Sequence, residues 1–334
     1  MNANIKLPDW SRVYGGPILG GNLRQSAEDF AVTEVLGFKP DGQGEHDFLW
    51  LEKKHANTQW VARQLAAFAG IAARDVGIAG MKDRHAVTRQ WFSVRRPGGT
   101  PADWSALDVE GVSILEVTRN SRKLRRGAHA GNRFRIVVRD LQGSLEKLDR
   151  YTTKICEQGV PNYFGEQRFG HDGRNLQLAE ALFAGKRLPR EKRSIALSSA
   201  RACLFNHVLQ ERVGNQTWSR LQPDDIAVLD GRGSIFTIRN VDETISERCR
   251  QLELHPTGPL WGKSEVTLDD ERRIAEQFPT IADGLVNHTN ASRRALRLAV
   301  RDLQTSLDGN ALTLEFYLTR GGFATAVLRE LWNG

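Results

Sequence analysis

Cysteine is scarce in this chain of 334 residues, with only Cys156, Cys203 and Cys249. They are odd in number, far apart and outside any CxxC spacing, which argues against a disulfide framework and a zinc ribbon and points to the cytoplasm. Long apolar runs are missing as well. None approaches the roughly 20 residues that cross a bilayer, and Met1-Asn2-Ala3-Asn4-Ile5-Lys6 lacks the apolar centre of a signal peptide. No membrane partner is therefore expected. The eight histidines form no HExxH, so no metal is expected either. Gly262-Lys263-Ser264 has the ending of a phosphate loop, but the upstream glycine that loop needs falls at Thr257, and Gly258 is one residue out of register. A nucleoside triphosphate site is excluded, and no internal repeat or low-complexity tract stands in its place.

Positive charge is present in excess. The 47 Lys and Arg against 40 Asp and Glu give a formal net charge of +7, a balance that favours a polyanionic partner without establishing one. Its distribution says more. Arg119, Arg122, Lys123, Arg125, Arg126, Arg133 and Arg135 follow one another between residues 119 and 138 with no acid among them, a density expected of a phosphate-binding surface.

The chain's length allows a sizeable core and favours two domains. Residues 25–140 read as strand-rich with one helix, capped by Asn57, carrying Trp60, Val61, Leu65 and Phe68 on one face and stopping at Gly70. Strands are expected at 76–79, 89–94, 112–117 and 132–141. In the last of these, Asn132, Phe134, Ile136 and Val138 share one face, while Arg133, Arg135, Val137 and Arg139 share the other. A helix opening at Ser144 is expected to end near Gly159. The middle, residues 160–290, is more helical, with helices at 175–184, 194–213 and 268–277, and reads as an inserted domain. Beyond it, 295–303 and 311–318 are expected to form a hairpin about Asp308-Gly309-Asn310, followed by a last helix over 323–332.

Between the strands at 76–79 and 89–94 lies Ala79-Gly80-Met81-Lys82-Asp83-Arg84-His85-Ala86-Val87-Thr88. It sets one carboxylate among basic side chains in a turn held by two strands, a common home for catalytic groups. Taken alone, such a carboxylate is more often a solvated surface charge, worth about 0–1 kcal/mol in a pair. Further blocks change that weighting: Glu28-Asp29-Phe30-Ala31-Val32-Thr33-Glu34, Gly131-Asn132-Arg133-Phe134, Val160-Pro161-Asn162-Tyr163-Phe164-Gly165-Glu166-Gln167-Arg168-Phe169-Gly170 and Gly322-Phe323-Ala324-Thr325. Together, in this order and across nearly the whole chain, they resemble the tRNA pseudouridine synthase D (TruD) family.

The resemblance implies an α/β (α+β) fold. A discontinuous catalytic domain on a mixed, mainly antiparallel sheet would comprise residues 1–157 and 305–334, with a TRUD insertion domain over 158–304. It also implies an isomerase that forms pseudouridine in tRNA, by analogy at position 13 of the D stem, working as a monomer with no cofactor. The chemistry detaches uracil from C1′, turns it and rejoins it through C5. One carboxylate suffices for this, and Asp83 stands at the motif position, either as nucleophile or as base at C2′. Arg24 stands where the family carries a basic residue before Glu28-Asp29-Phe30, and is a candidate partner for Asp83. A uridine taken out of its stack needs an apolar surface to receive it. Phe134 is the candidate for that surface, although strand alternation alone assigns it to the core. Asn132, two residues earlier on the same face, can read the uracil or ribose edge, and Phe30 and Phe323 line the pocket by resemblance. Met81 and Arg84 depart from the residues frequent in the family, Gln and Lys. A different reading makes the chain a basic tRNA-binding or RNA-remodelling protein whose modification activity is lost or incidental; it would bind tRNA equally well with Asp83 replaced.

Overall fold

The computed structural model describes residues 8–96, 102–264 and 268–333, so the stretch Met1-Asn2-Ala3-Asn4-Ile5-Lys6 lies outside the described residues. The chain divides into two compact units. A sheet unit comprises Ile18–Leu148, Val300–Gly322 and Trp332–Gly334; a helical unit comprises Met1–Pro17, Asp149–Ala299 and Phe323–Leu331. No described helix is long and apolar enough to cross a membrane.

The sheet unit is built on nine strands: β1 (Leu19–Leu23), β2 (Phe30–Leu36), β3 (His46–Lys54), β4 (Val76–Ile78), β5 (Val87–Arg95), β6 (Val112–Asn120), β7 (His129–Gly143), β8 (Arg301–Asp308) and β9 (Ala311–Thr319). They run in the order β8-β9-β7-β2-β5-β3-β6, with β1 pairing β7 and β4 pairing β5. Only β2 and β5 are parallel, so the sheet is mixed and mainly antiparallel. Between β3 and β4 the helix α1 (Thr58–Phe68) lies on the sheet, its Val61, Leu65 and Ala66 packed with Leu49, Leu51, Phe92 and Val94. Asn57 caps it as the sequence suggests, its side chain accepting from Gln59 N at 2.8 Å. Gly70, just past its end, takes the left-handed conformation (φ 65°) that closes a helix most easily with glycine.

The hairpin at the end of the chain differs from expectation in its first strand. That strand is Arg301–Asp308, and Gly309-Asn310 is the two-residue connection to β9. Residues 292–298 turn instead to partners within the helical unit, Ala295 against Thr257 and Arg297 against Pro161. Alternation and turn chemistry mark the hairpin's tip but carry no information on where a strand changes partners.

The helical unit centres on a 25-residue helix, Arg190–Gly214, against which Arg174–Phe183, Asp269–Glu276 and Pro279–His288 pack. Ala196, Ala200, Cys203 and Phe205 are fully buried along the central helix. A four-stranded sheet (Ile235–Thr237, Ile226–Leu229, Leu254–Leu260, Ser292–Ala295) completes the unit. The short helices Glu243–Arg250 and Pro279–His288 have no counterpart in the sequence reading. The last helix, Ala324–Leu331, packs beside Val160–Pro161 in the same unit.

Candidate active site

One face of the sheet unit carries polar groups where apolar residues are the rule. Strand parity puts Phe30, Val32 and Glu34 of β2 inward, together with Leu49, Leu51 and Lys53 of β3 and Thr88, Gln90 and Phe92 of β5, all of them buried. Register sets the polar members in two adjacent rows, Glu34 opposite Asn132 of β7 in one and Thr88 opposite Lys53 in the other, where Val32 stands beside Thr88. Over these rows passes the loop that joins β4 to β5.

The loop's two ends are buried alanines, Ala79 and Ala86, and its middle is pinned by the polar rows. Gln90 Nε2 donates to Gly80 O at 3.2 Å, and Lys82 N donates to Thr58 Oγ1 at 3.1 Å, while that hydroxyl donates to Gln90 Oε1. Lys82 Nζ forms a buried ion pair with Glu34 Oε2 at 2.7 Å, and Glu34 Oε1 accepts from Trp91 N. Lys53 Nζ donates to Asp83 O at 3.0 Å and Ala56 O at 2.8 Å. Burial pulls the Lys53 ammonium down to about 8; the Asp83 carboxylate opposes this shift and Lys82 adds to it. Burial, and then the Lys82 charge, also hold the His129 imidazole below its usual range.

The Asp83 backbone is thus fixed from beneath, while its side chain is about one-third exposed. Arg24 Nη1 lies 3.1 Å from Asp83 Oδ2, and His85 N donates to Oδ1 at 2.9 Å. Arg24 adopts a left-handed backbone (φ 59°), which costs a residue with a Cβ roughly 1–2 kcal/mol. In that position its guanidinium also lies 4.1 Å over the Phe30 ring. Phe30 meets Phe134 edge-on at 6.3 Å, and Phe134 stacks on Phe316 at 5.3 Å. Asp83, Arg24, Phe30 and Phe134 are therefore joined by contact. Phe134 is 8% exposed and has one face taken by Phe316, so packing already engages it.

Asn132 shares the Phe134 face, and its buried Oδ1 has no hydrogen-bond partner among the described residues. Its neighbour Gly131 has no room for a side chain, because a Cβ there would collide with the Leu318 carbonyl and the Tyr317 ring. Phe323 belongs to the helical unit, 39% exposed, with the guanidinium groups of Arg168 and Arg294 about 6 Å from its ring. Met81 is exposed, and Arg84 donates from Nε to His55 O at 3.2 Å.

The run of seven cations separates into two groups. Arg119 faces Asp47 at 3.8 Å, Arg133 faces Asp302 at 3.1 Å, and Arg135 faces Glu315 at 3.5 Å, all acids brought in by other strands or their edges. Arg122, Lys123, Arg125 and Arg126 acquire no such partner among the described residues. The polar face of β7 is consequently mixed in charge rather than cationic.

Glu34, Lys53, Thr58 and Gln90 were not singled out from the sequence. A usable signal existed for three of them: each continues the inward parity of its strand, and a charge or amide at an inward position needs a partner. Thr58 carried none, since it is the first residue of a helix. No three His, Cys, Asp or Glu side chains among the described residues gather as a metal-ligating group.

Comparison with known proteins identifies the family. The family model for tRNA pseudouridine synthase D (TruD) matches residues 12–186 and 177–331. The tRNA pseudouridine synthase D of Methylococcus capsulatus is 46% identical over 332 residues, covering 97% of this chain and 94% of its own. That of Hydrogenovibrio crunogenus is 40% identical, covering 98% and 97%. A crystal structure from Methanosarcina mazei, provisionally assigned as a tRNA pseudouridine synthase D (TruD), superposes with a TM-score of 0.70 over 98% of this chain and 96% of that one; at 21% identity it shows the shared fold.

Proposed function

The chain belongs to the tRNA pseudouridine synthase D family, and from that premise we propose that it isomerises a uridine of tRNA, position 13 of the D stem, with Asp83 as the reacting carboxylate. The observation that supports this reading is the contact of Arg24 with both the Asp83 carboxylate and the Phe30 ring. That contact brings an exposed acid, its counter-ion and an aromatic wall together on a rigid sheet.

Isomerisation breaks the bond between N1 and C1′, forms one between C5 and C1′, adds a proton at N1 and removes one from C5. The carboxylate serves as nucleophile at C1′ or as base at C2′. Either course needs an ionised carboxylate whose direction is fixed before substrate arrives. Arg24 and His85 N each hold one oxygen, and Lys53 holds the backbone carbonyl of the same residue. Asn132, with its unmatched Oδ1, is the group proposed to read the base or ribose, since a donor N–H or O–H there would satisfy it. Phe30 and Phe134 form the proposed apolar wall.

Asp83→Asn keeps shape and removes charge. It should lower pseudouridine formation in tRNA by more than a hundredfold in single-turnover assays, with melting temperature and tRNA affinity nearly unchanged. Turnover above a hundredth of wild type would remove Asp83 from the reaction. Mapping pseudouridine in tRNA from cells with and without the protein tests the position, and loss at another nucleotide would move the assignment.

A further inference from the structure

A groove of about 670 Å³ lies in the sheet unit between α1, the turn leading into β4, and the loop 121–127. Arg63, Arg74, Lys123, Arg125 and Arg126 line it, with no carboxylate in its walls. Among the described residues none of the five makes an ion pair, whereas Arg119, Arg133 and Arg135 of the same sequence run all do. Two of the five, Arg63 and Arg74, come from outside that run. Five like charges around one concavity raise its potential and oppose folding unless an anion joins them.

The groove's walls are fixed to each other and to the Asp83 loop. Lys123 Nζ donates to Arg74 O at 2.5 Å, and Leu124 N donates to Ser93 Oγ at 3.0 Å. Gly77 lets the 121–127 loop approach, since a Cβ there would strike the Leu124 carbonyl and the Ser93 hydroxyl. Gly127 N donates to Ala79 O at 2.8 Å, at the start of the catalytic loop, and Thr58, which holds Lys82 N, precedes the groove residue Gln59. No aromatic ring lines the groove, so it offers no platform for stacked bases.

Building on the function assigned above, we propose that this groove holds the phosphate backbone of the substrate RNA away from the reacting nucleotide. Its cations take consecutive phosphates of a base-paired segment and read no sequence.

The test neutralises Arg74, Arg125 and Arg126 together to Gln in the full chain, using unmodified tRNA as the probe. Three lost phosphate contacts should flatten the slope of log K against log salt by nearly three units, at roughly 0.9 per phosphate of a duplex. Affinity at low salt should fall at least tenfold, with the single-turnover rate at saturating tRNA within threefold of wild type. The same change in net charge at Arg248, Arg250 and Arg272, all ion-paired on the helical unit, should leave the slope within half a unit. A groove variant that matches this control overturns the proposal, as does one whose saturated rate collapses while its affinity holds. If the triple variant melts early, single Arg125→Gln and Arg126→Gln variants, each expected to flatten the slope by about 0.9, carry the same test. Because the readout is binding, wild-type chain that binds tRNA but forms no pseudouridine would defeat the functional assignment and leave the groove standing.

Discussion

Both units bury charge, and they do so to different ends. In the helical unit Arg212, on the central helix, holds Asp225, Gln222 and Asp270, and Arg293 holds Glu271 of the helix Asp269–Glu276. These pairs tie one regular element or its edge to another, where well-packed apolar side chains of similar volume often serve as well or better. In the sheet unit the buried charges Glu34, Lys82 and Lys53 tie a loop to the sheet. The loop 80–85 has little to bury, since between its alanine ends it is Gly-Met-Lys-Asp-Arg-His and its Met81 is exposed. A segment that must present an exposed carboxylate cannot be held by a hydrophobic core of its own. Polar anchors from beneath are the remaining means, and each must be satisfied, because an unpaired buried charge is far costlier than a missing contact.

The largest effect expected from this contrast follows from breaking one buried pair in each unit. Glu34→Gln leaves Lys82 without its counter-ion, and Asp225→Asn does the same to one side of Arg212. Each should cost about 3–5 kcal/mol of unfolding free energy, less for Asp225→Asn to the extent that Asp270 still compensates Arg212. The two should separate in turnover. Among molecules that remain folded at low temperature, Asp225→Asn should keep the wild-type rate of pseudouridine formation. Glu34→Gln should lose at least tenfold, because a loop displaced by an ångström misdirects Asp83. Equal rates in the two variants would reduce the sheet-unit pair to a fold-stabilising contact like its counterpart.

A smaller effect isolates Lys53. Its folded value of about 8 lies below the unfolded value near 10.5, so the unfolded chain keeps a proton that the folded chain sheds between those values. Below about pH 8 the cost of burying the ammonium is present in full, and stability should rise as pH increases through the window, by at most ~3 kcal/mol. Burial raises the Tyr14 and Tyr163 hydroxyls, which acts in the opposite direction once unfolded tyrosines ionise near pH 10. Burial also raises the Cys203 thiol, whose unfolded counterpart ionises near pH 9 and opposes the rise inside the window itself, so the Lys53 contribution is read between about pH 8 and 9.5 as a difference between wild type and a variant. In urea titrations the stability of wild type relative to Lys53→Met should rise across that window, and identical profiles would mean that Lys53 is not desolvated in solution.

What could be read from the sequence was whatever depends on neighbours along the chain. Asn57 announced a helix, alternation announced β7, and the family resemblance singled out Asp83, Arg24 and Phe30 before the contacts that join them were visible. What could not be read depends on partners far away in sequence. Arg133 and Arg135 looked like phosphate ligands until Asp302 and Glu315 arrived beside them, while Arg63 and Arg74, which nothing in the sequence marks, line a groove with the 121–127 loop. Phe134 shows both sides of the problem. Alternation assigned it to the core and the motif to a pocket, and its ring is packed on Phe316 yet linked through Phe30 to Arg24 and Asp83.

The smallest effect sharpens the comparison by reaching the loop through a helix. Asn57 accepts from Gln59 N at the start of α1, and Asn57→Ala should cost about 1 kcal/mol, as loss of a helix cap does. A cap on the helical unit, such as Asp242 accepting from Ile245 N, should cost a similar amount when replaced by Ala. The difference lies in what stands one residue further on. After Asn57 comes Thr58, whose hydroxyl accepts from Lys82 N and donates to Gln90, so fraying of the first turn loosens an anchor of the Asp83 loop. Asn57→Ala should therefore slow single-turnover pseudouridine formation several-fold at saturating tRNA while Asp242→Ala does not. Amide exchange at Lys82 should quicken in the first variant alone. If Lys82 N stays as protected as in wild type, the loop is held without the helix, and the strand anchors Glu34, Gln90 and Lys53 suffice.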